Sequence, residues 1–164
     1  MLPVPTMAAS NAFWCNPMVP TAGCESCELC ASDGGELLVH RGPLRIVLVN
    51  DNAYPGFCRV IWNAHVVELT DLAPAQRSAC MQAVCQTEAI VREVMAPHKI
   101  NLASLGNMTP HLHWHVIPRY LDDAHFPAPV WAVAVRTTPT TVLDARRARI
   151  PTLRAALLRY FAAQ

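Results

Sequence analysis

From His111 to Val116 the chain alternates strictly between histidine and an apolar residue: His111, Leu112, His113, Trp114, His115, Val116. Successive side chains of a β-strand point to opposite faces. The pattern therefore predicts a strand with three imidazoles on one face, roughly 7 Å apart, and Leu112, Trp114 and Val116 turned to a core. Earlier, Asp33-Gly34-Gly35 signals a turn, and Glu36 to His40 and Leu44 to Val49 read as adjacent strands separated by Gly42-Pro43. A second turn, Asn50 to Gly56, leads into a strand from Phe57 to Trp62. Between Ala75 and Met95 apolar or small residues recur at 80, 83, 84, 87, 91 and 94, a helical spacing supported by the i,i+4 pair Glu88 and Arg92. Pro74 suits the first helical position and Pro97 follows the last. Ile100 to Leu105 reads as a strand, joined by a loop from Gly106 to Pro110 to the histidine strand. Beyond Tyr120 the pattern weakens: Trp131 to Val135 is expected to be extended, and Pro151 to Ala163 to form a closing helix.

These elements predict an α+β fold: a mostly antiparallel sheet of about five strands with one long helix packed against it. Residues 1 to 23, rich in Pro, Ala and Met, read as an irregular N-terminal extension, in which Met7 offers a second possible start. Residues 24 to 164 are expected to form one domain without internal repeats. Hydrophobic residues make up 52% of the 164 and charged residues 15%, enough to bury a core. Thirteen Lys and Arg against twelve Asp and Glu provide no basic field for coating nucleic acid, so the expected ligand is small. No apolar run has the length of a membrane span, and the first residues lack the cationic start of a secretory signal; the expected location is cytoplasmic.

The three-histidine surface is the candidate active site, because imidazole works as nucleophile, proton carrier or metal ligand near neutral pH. An exposed histidine-rich edge strand and a three-histidine catalytic metal centre are the alternatives. Seven cysteines, an odd number in a chain with no mark of export, read as thiols or metal ligands rather than a disulfide framework. Cys24, Cys27 and Cys30 form two overlapping pairs at a spacing that aims two sulfurs at one metal. Cys58, Cys80 and Cys85 read as small core residues; Cys15 has no assignment. His40, His98 and His125 are expected at the surface. Arg146, Arg147 and Arg149, with Arg154 and Arg159, read as a solvated helix face in preference to a phosphate site. Phe126 and Trp131 are available for packing or for closing over a base or a dimer partner.

The run His111 to Ile117, followed by Pro118-Arg119 and preceded by Asn101 and Gly106-Asn107, resembles the signature of the histidine triad (HIT) family of nucleotide hydrolases and transferases. The resemblance covers about residues 27 to 120. It implies cleavage of a phosphoanhydride or phosphoramidate at the phosphorus next to a nucleoside, with His113 as the nucleophile that becomes nucleotidylated. It further implies that His115 bonds a phosphate oxygen or assists the leaving group, and that Asn101 and Asn107 hold and polarise the phosphate. No divalent cation is required by this route. A dinucleoside polyphosphate such as diadenosine tetraphosphate, or a nucleoside phosphoramidate, is the expected substrate, with water as acceptor. Transfer to phosphate or another acceptor, and a nucleotide sensor or scaffold with little turnover, are the alternatives. The resemblance also implies a homodimer. The chain departs from the family in three places: Phe57 follows Pro55-Gly56 where many relatives carry histidine, Asn107 replaces a glutamine, and Met108 replaces a serine or threonine.

Some bacterial relatives, and the galactose-1-phosphate uridylyltransferases, resemble this chain in an early Cys-x-x-Cys pair that helps to hold zinc. Carried over by position, the resemblance implies zinc ligands Cys27, Cys30, His65 and His111, a closed structural site; Cys24 with Cys27 is an alternative pair of the same spacing. This use of His111 would leave the chemistry to His113 and His115.

Overall fold

The computed structural model describes residues 26–163. The expected N-terminal extension, with Cys15 and Cys24, lies outside the described residues. A short helix α1 (Glu28–Ala31) precedes strands β1 (Glu36–Arg41), β2 (Leu44–Leu48) and β3 (Cys58–Trp62). A 3-10 turn (Leu69–Asp71) leads into the long helix α2 (Pro74–Met95), followed by β4 (Lys99–Ala103), β5 (His113–Arg119), α3 (Thr140–Arg147) and α4 (Ile150–Ala162). The five strands form one sheet in the order β1-β2-β3-β5-β4, with every neighbouring pair antiparallel. The α+β architecture expected from the sequence is the one observed.

Alternation along β5 divides its side chains as expected. Leu112 and Val116 are buried, with Trp114 packed beside them, in a core that α2 and α4 supply with Cys80, Val84, Val91, Met95, Leu153 and Leu157. Helix α2 starts at Pro74, where a missing N–H costs nothing. The preceding Ala73 N–H donates to Gln76 Oε1 at 3.0 Å. The helix stops at Ala96 in the left-handed region, just before Pro97. The opposite face of the sheet carries the histidines between two small apolar clusters. One joins Cys27 and Leu29 to Val47 and Ile61, and the other joins Tyr54 and Phe57 to Ile117. Gly56 allows the turn before β3, because its φ of +89° disfavours any side chain and a Cβ there would lie 2.8 Å from Met95.

Four expectations require correction. Residues 131–135 form no strand despite their apolar character: Val135 and Arg136 donate main-chain bonds to Ala124 and no sheet edge pairs with them. Cys85 is exposed, because it follows Val84 by 100° around the helix and so leaves the buried stripe, whereas Cys58 and Cys80 are buried. His125 is half-buried, with Nδ1 2.5 Å from the Tyr54 hydroxyl. The arginine run near the C-terminus is a solvated face except at Arg146, while Arg149, exposed, and Arg154, half-buried, bond to other elements. Arg146 is buried over the Tyr120 ring at 3.7 Å and pairs with Asp122, Arg149 donates to the Met95 carbonyl, and Arg154 pairs with Glu36. No helix among the described residues is long and apolar enough to cross a membrane.

Candidate active site and metal centre

The hydrogen bonds of β5 settle which ring nitrogen of each histidine carries a proton, because a carbonyl oxygen can only accept. His113 Nδ1 lies 2.6 Å from the carbonyl oxygen of His111 and must donate to it, leaving Nε2 as a bare lone pair. That lone pair faces His115 Nε2 at 3.1 Å, so His115 carries its proton on Nε2 and donates it. His115 Nδ1 is buried and has no partner. All three histidines are buried. Burial lowers the pKa of His113, with the Arg59 charge adding to the effect against the opposing bond to His111. His115 is pushed down to about 3, by burial first and then by His113 and Arg59. Both rings are therefore uncharged at neutral pH. The arrangement supplies an uncharged nitrogen nucleophile beside an N–H donor, and both are held by the sheet.

His111 belongs to a different centre. It precedes β5, and its Nε2 donates to the Trp62 carbonyl at 2.6 Å, which turns the Nδ1 lone pair toward Cys27 Sγ at 3.4 Å and Cys30 Sγ at 3.5 Å. His65 Nδ1 lies 3.3 Å from Cys30 Sγ. Ligand atoms from these four residues all lie within 4.8 Å of one another. A tetrahedral ion about 2.3 Å from sulfur and about 2.0–2.1 Å from nitrogen requires S···N edges of roughly 3.5 Å. The observed separations match that edge, so the four residues fit a metal ion. Arg45 anchors the turn that carries the cysteines. Buried at 6% exposure, it donates to the carbonyls of Leu29, Ser32 and Asp33 and to Asn63 Oδ1. The Cys-x-x-Cys spacing signals the ligands, whereas nothing local in the sequence signals this support.

The remaining expected residues flank the imidazoles unequally. Asn101, on β4 opposite Ile117, shares their face, and its Oδ1 accepts from Arg119 Nη1. Because arginine only donates, the Asn101 amide is fixed with Nδ2 as its free donor end. Asn107 and Met108 are exposed on the loop before β5. Phe57 is buried with its ring 5.5 Å from that of His115, and Trp131, half-exposed, meets His115 edge-on at 5.3 Å. Of the two aromatic residues that the sequence left between packing and the site, Trp131 lies beside His115, whereas Phe126 lies under the Arg119 guanidinium at 5.9 Å.

Behind Asn101 lies a buried ion pair that the sequence reading missed. Arg119 and Asp123 are 2% and 0% exposed and meet at 2.7 Å. Asp123 also accepts from the main-chain N–H groups of Tyr120, His125 and Phe126, while Arg119 donates to the Ala128 carbonyl. Burial alone would raise the Asp123 pKa, but the bonds from Arg119 and the main chain outweigh it and the net shift is downward. The pair thus fixes both the Asn101 amide and the loop that leads to Trp131. Asp123→Asn is expected to cost about 3 kcal/mol in urea denaturation, since it leaves a buried guanidinium uncompensated. A loss below about 1 kcal/mol would show that the pair carries no such role.

A family model described as HIT domain matches residues 35–122. The chain belongs to the HIT family. It is 32% identical over 102 residues to a protein named AP-4-A phosphorylase from Mycobacterium tuberculosis, a match covering 58% of this chain and 52% of that one. The chain thus spans about half the length of the curated relatives it matches. Among solved structures, a histidine triad protein from Bradyrhizobium japonicum is 26% identical, with a TM-score of 0.63 over 77% of this chain and 90% of that one. A zinc-bound histidine triad family protein from Mycobacterium smegmatis is 27% identical, with a TM-score of 0.54 over 85% and 98%.

Proposed function

We propose that this chain is a nucleotidyl-transferring enzyme that opens a dinucleoside polyphosphate at the phosphorus next to a nucleoside, through a covalent intermediate on His113. The observation that carries this reading is the fixed tautomer of His113, whose Nδ1–H is held by the His111 carbonyl while Nε2 stays unprotonated. In the first step the Nε2 lone pair forms a bond to phosphorus and the bond to the leaving phosphate oxygen breaks. The positive charge on the nucleotidylated ring is shared with the His111 carbonyl through Nδ1–H. His115 exchanges its bond to His113 for one to a phosphate oxygen, and the Nδ2 end of Asn101 donates to another. Asn107, exposed on its loop, is the second phosphate donor. In the second step an acceptor oxygen attacks phosphorus, and the bond to Nε2 breaks.

The likeness to a protein named AP-4-A phosphorylase favours phosphate as the acceptor. Water, the acceptor expected from the sequence, is the second reading. Incubation with diadenosine tetraphosphate and labelled phosphate separates them: phosphorolysis yields labelled ADP with ATP, and hydrolysis yields AMP with ATP. If neither product forms, with this substrate or with an adenosine phosphoramidate, the enzyme reading fails and the sensor reading replaces it.

Zinc is the proposed occupant of the Cys27, Cys30, His65 and His111 cluster, a reading supported by the two-sulfur, two-nitrogen donor set and by the zinc-bound relative. Bound there, zinc would tie α1 to the residue whose carbonyl orients His113. No divalent cation is assigned to the reacting phosphate.

A further inference from the structure

Arg59 stands across the β3–β5 ladder from His115, and Ile61 stands across from His113. Directly paired residues share a face, so the Arg59 side chain leaves the sheet on the side of the two imidazoles. It is half-buried. Its Nη1 donates to the Gly34 carbonyl at 3.1 Å, and its guanidinium carbon lies 5.9 Å from the centre of the Phe57 ring. Its Nε is buried and has no acceptor. Among the described residues no carboxylate lies within ion-pair distance of it, and only the field of exposed Glu28 reaches it.

Two other guanidinium groups leave this face: that of Arg119 is neutralised by Asp123, and that of Arg45 is spent on the turn of the metal centre, held by the carbonyls of Leu29, Ser32 and Asp33. By their hydrogen bonds His113 and His115 each offer one ring N–H, and Asn101 is a neutral amide. Among the described residues, Arg59 is thus the guanidinium paired directly across from His115 that has no ion-pair partner, on the flank opposite Asn101. Partial burial of a guanidinium without a counter-charge is unfavourable, and an anionic ligand relieves it. Its planar fork matches phosphate oxygens. A substrate with one phosphate brings little charge beyond the group placed on His113, whereas a polyphosphate brings further anionic oxygens that the neutral donors of the site leave unbalanced.

We infer that Arg59 is a specificity-determining residue that binds phosphates beyond the attacked one, and so selects polyphosphate substrates over nucleotides with a single phosphate. This inference rests on the proposed function and names the substrate class of that same site.

The test is calorimetric titration of the metal-loaded full chain with AMP and with the α,β-methylene analogue of ATP, for wild type, R59Q and R59K. Wild type is expected to bind the triphosphate analogue about 10- to 100-fold more tightly than AMP, as charge-assisted bonds to phosphate would give. R59Q is expected to lose that preference with AMP binding changed less than about threefold, and R59K to keep part of it through its point charge. R59K also covers the case in which R59Q folds poorly: a lysine variant that folds and shows no preference would overturn the assignment. So would a wild type that binds both nucleotides equally, or an R59Q that weakens both alike, since Arg59 would then act on the nucleoside or on the fold. A wild type that binds neither nucleotide would remove the nucleotide reading itself, and this inference with it.

Discussion

Replacing His113 with alanine is expected to lower turnover of diadenosine tetraphosphate by about 10⁴-fold or more and to eliminate the covalent intermediate. Loss of a nucleophile removes the two-step route altogether, and the remaining donors only bind. Intact mass measured shortly after mixing should show an adduct of adenylyl mass on wild type alone. His115→Ala should behave differently. It removes a proton donor rather than the attacking atom, so turnover should fall by about 10²–10⁴-fold while the adduct still forms, more slowly. Removing His113 also strips the His111 carbonyl and His115 Nε2 of their partners, so a melting curve must accompany the assay. A folded His113→Ala variant retaining turnover within tenfold of wild type would refute the nucleophile assignment.

Cys27→Ser is expected to lose metal, stability and activity together. Purified wild type should contain about one zinc per chain, and the variant close to none. Structural zinc contributes on the order of 10 kcal/mol in small domains that depend on it. This chain has a separate core between the sheet and α2 and α4, so an effect of about 5 kcal/mol is expected. At roughly 2–4 °C per kcal/mol for a chain of this size, the melting temperature should drop by about 10–20 °C. Activity should fall as well, because His111 is both a member of the cluster and the residue whose carbonyl accepts from His113 Nδ1–H and so orients that ring. Cys85→Ser, at an exposed position, is the control and should match wild type. A wild type purified without chelator that contains no zinc would overturn the metal assignment.

What the sequence revealed was local in kind. The alternation of β5 and the 3.6-residue stripe of α2 are repeated within a few turns of chain, so patterning found both elements and the faces they bury. The cysteine pair was legible because its spacing is itself the chemical signal, and His65 and His111 followed only from resemblance to a family. Arg45, Arg59, Arg119 and Arg146 were not legible, since each is defined by partners on other elements: an arginine in a sequence reads the same whether it points to water or into a protein. Helix α3 was missed because Thr140–Arg147 is polar over most of its length. Trp131 to Val135 misled in the other direction. Its composition favours a strand, but a strand also requires a paired neighbour, and among the described residues the segment pairs with none and bonds instead to Ala124.

The protons of the central histidines are placed by main-chain oxygens, those of Trp62 and His111, and not by a neighbouring acid. Substitution can delete a carboxylate, but it cannot delete a carbonyl. As the surrounding sequence drifts over generations, the protonation pattern of the site is inherited with the strand pairing that supplies those oxygens. Changes at neighbouring side chains such as Phe57, Arg59 and Asn107 therefore leave the placement of those protons untouched.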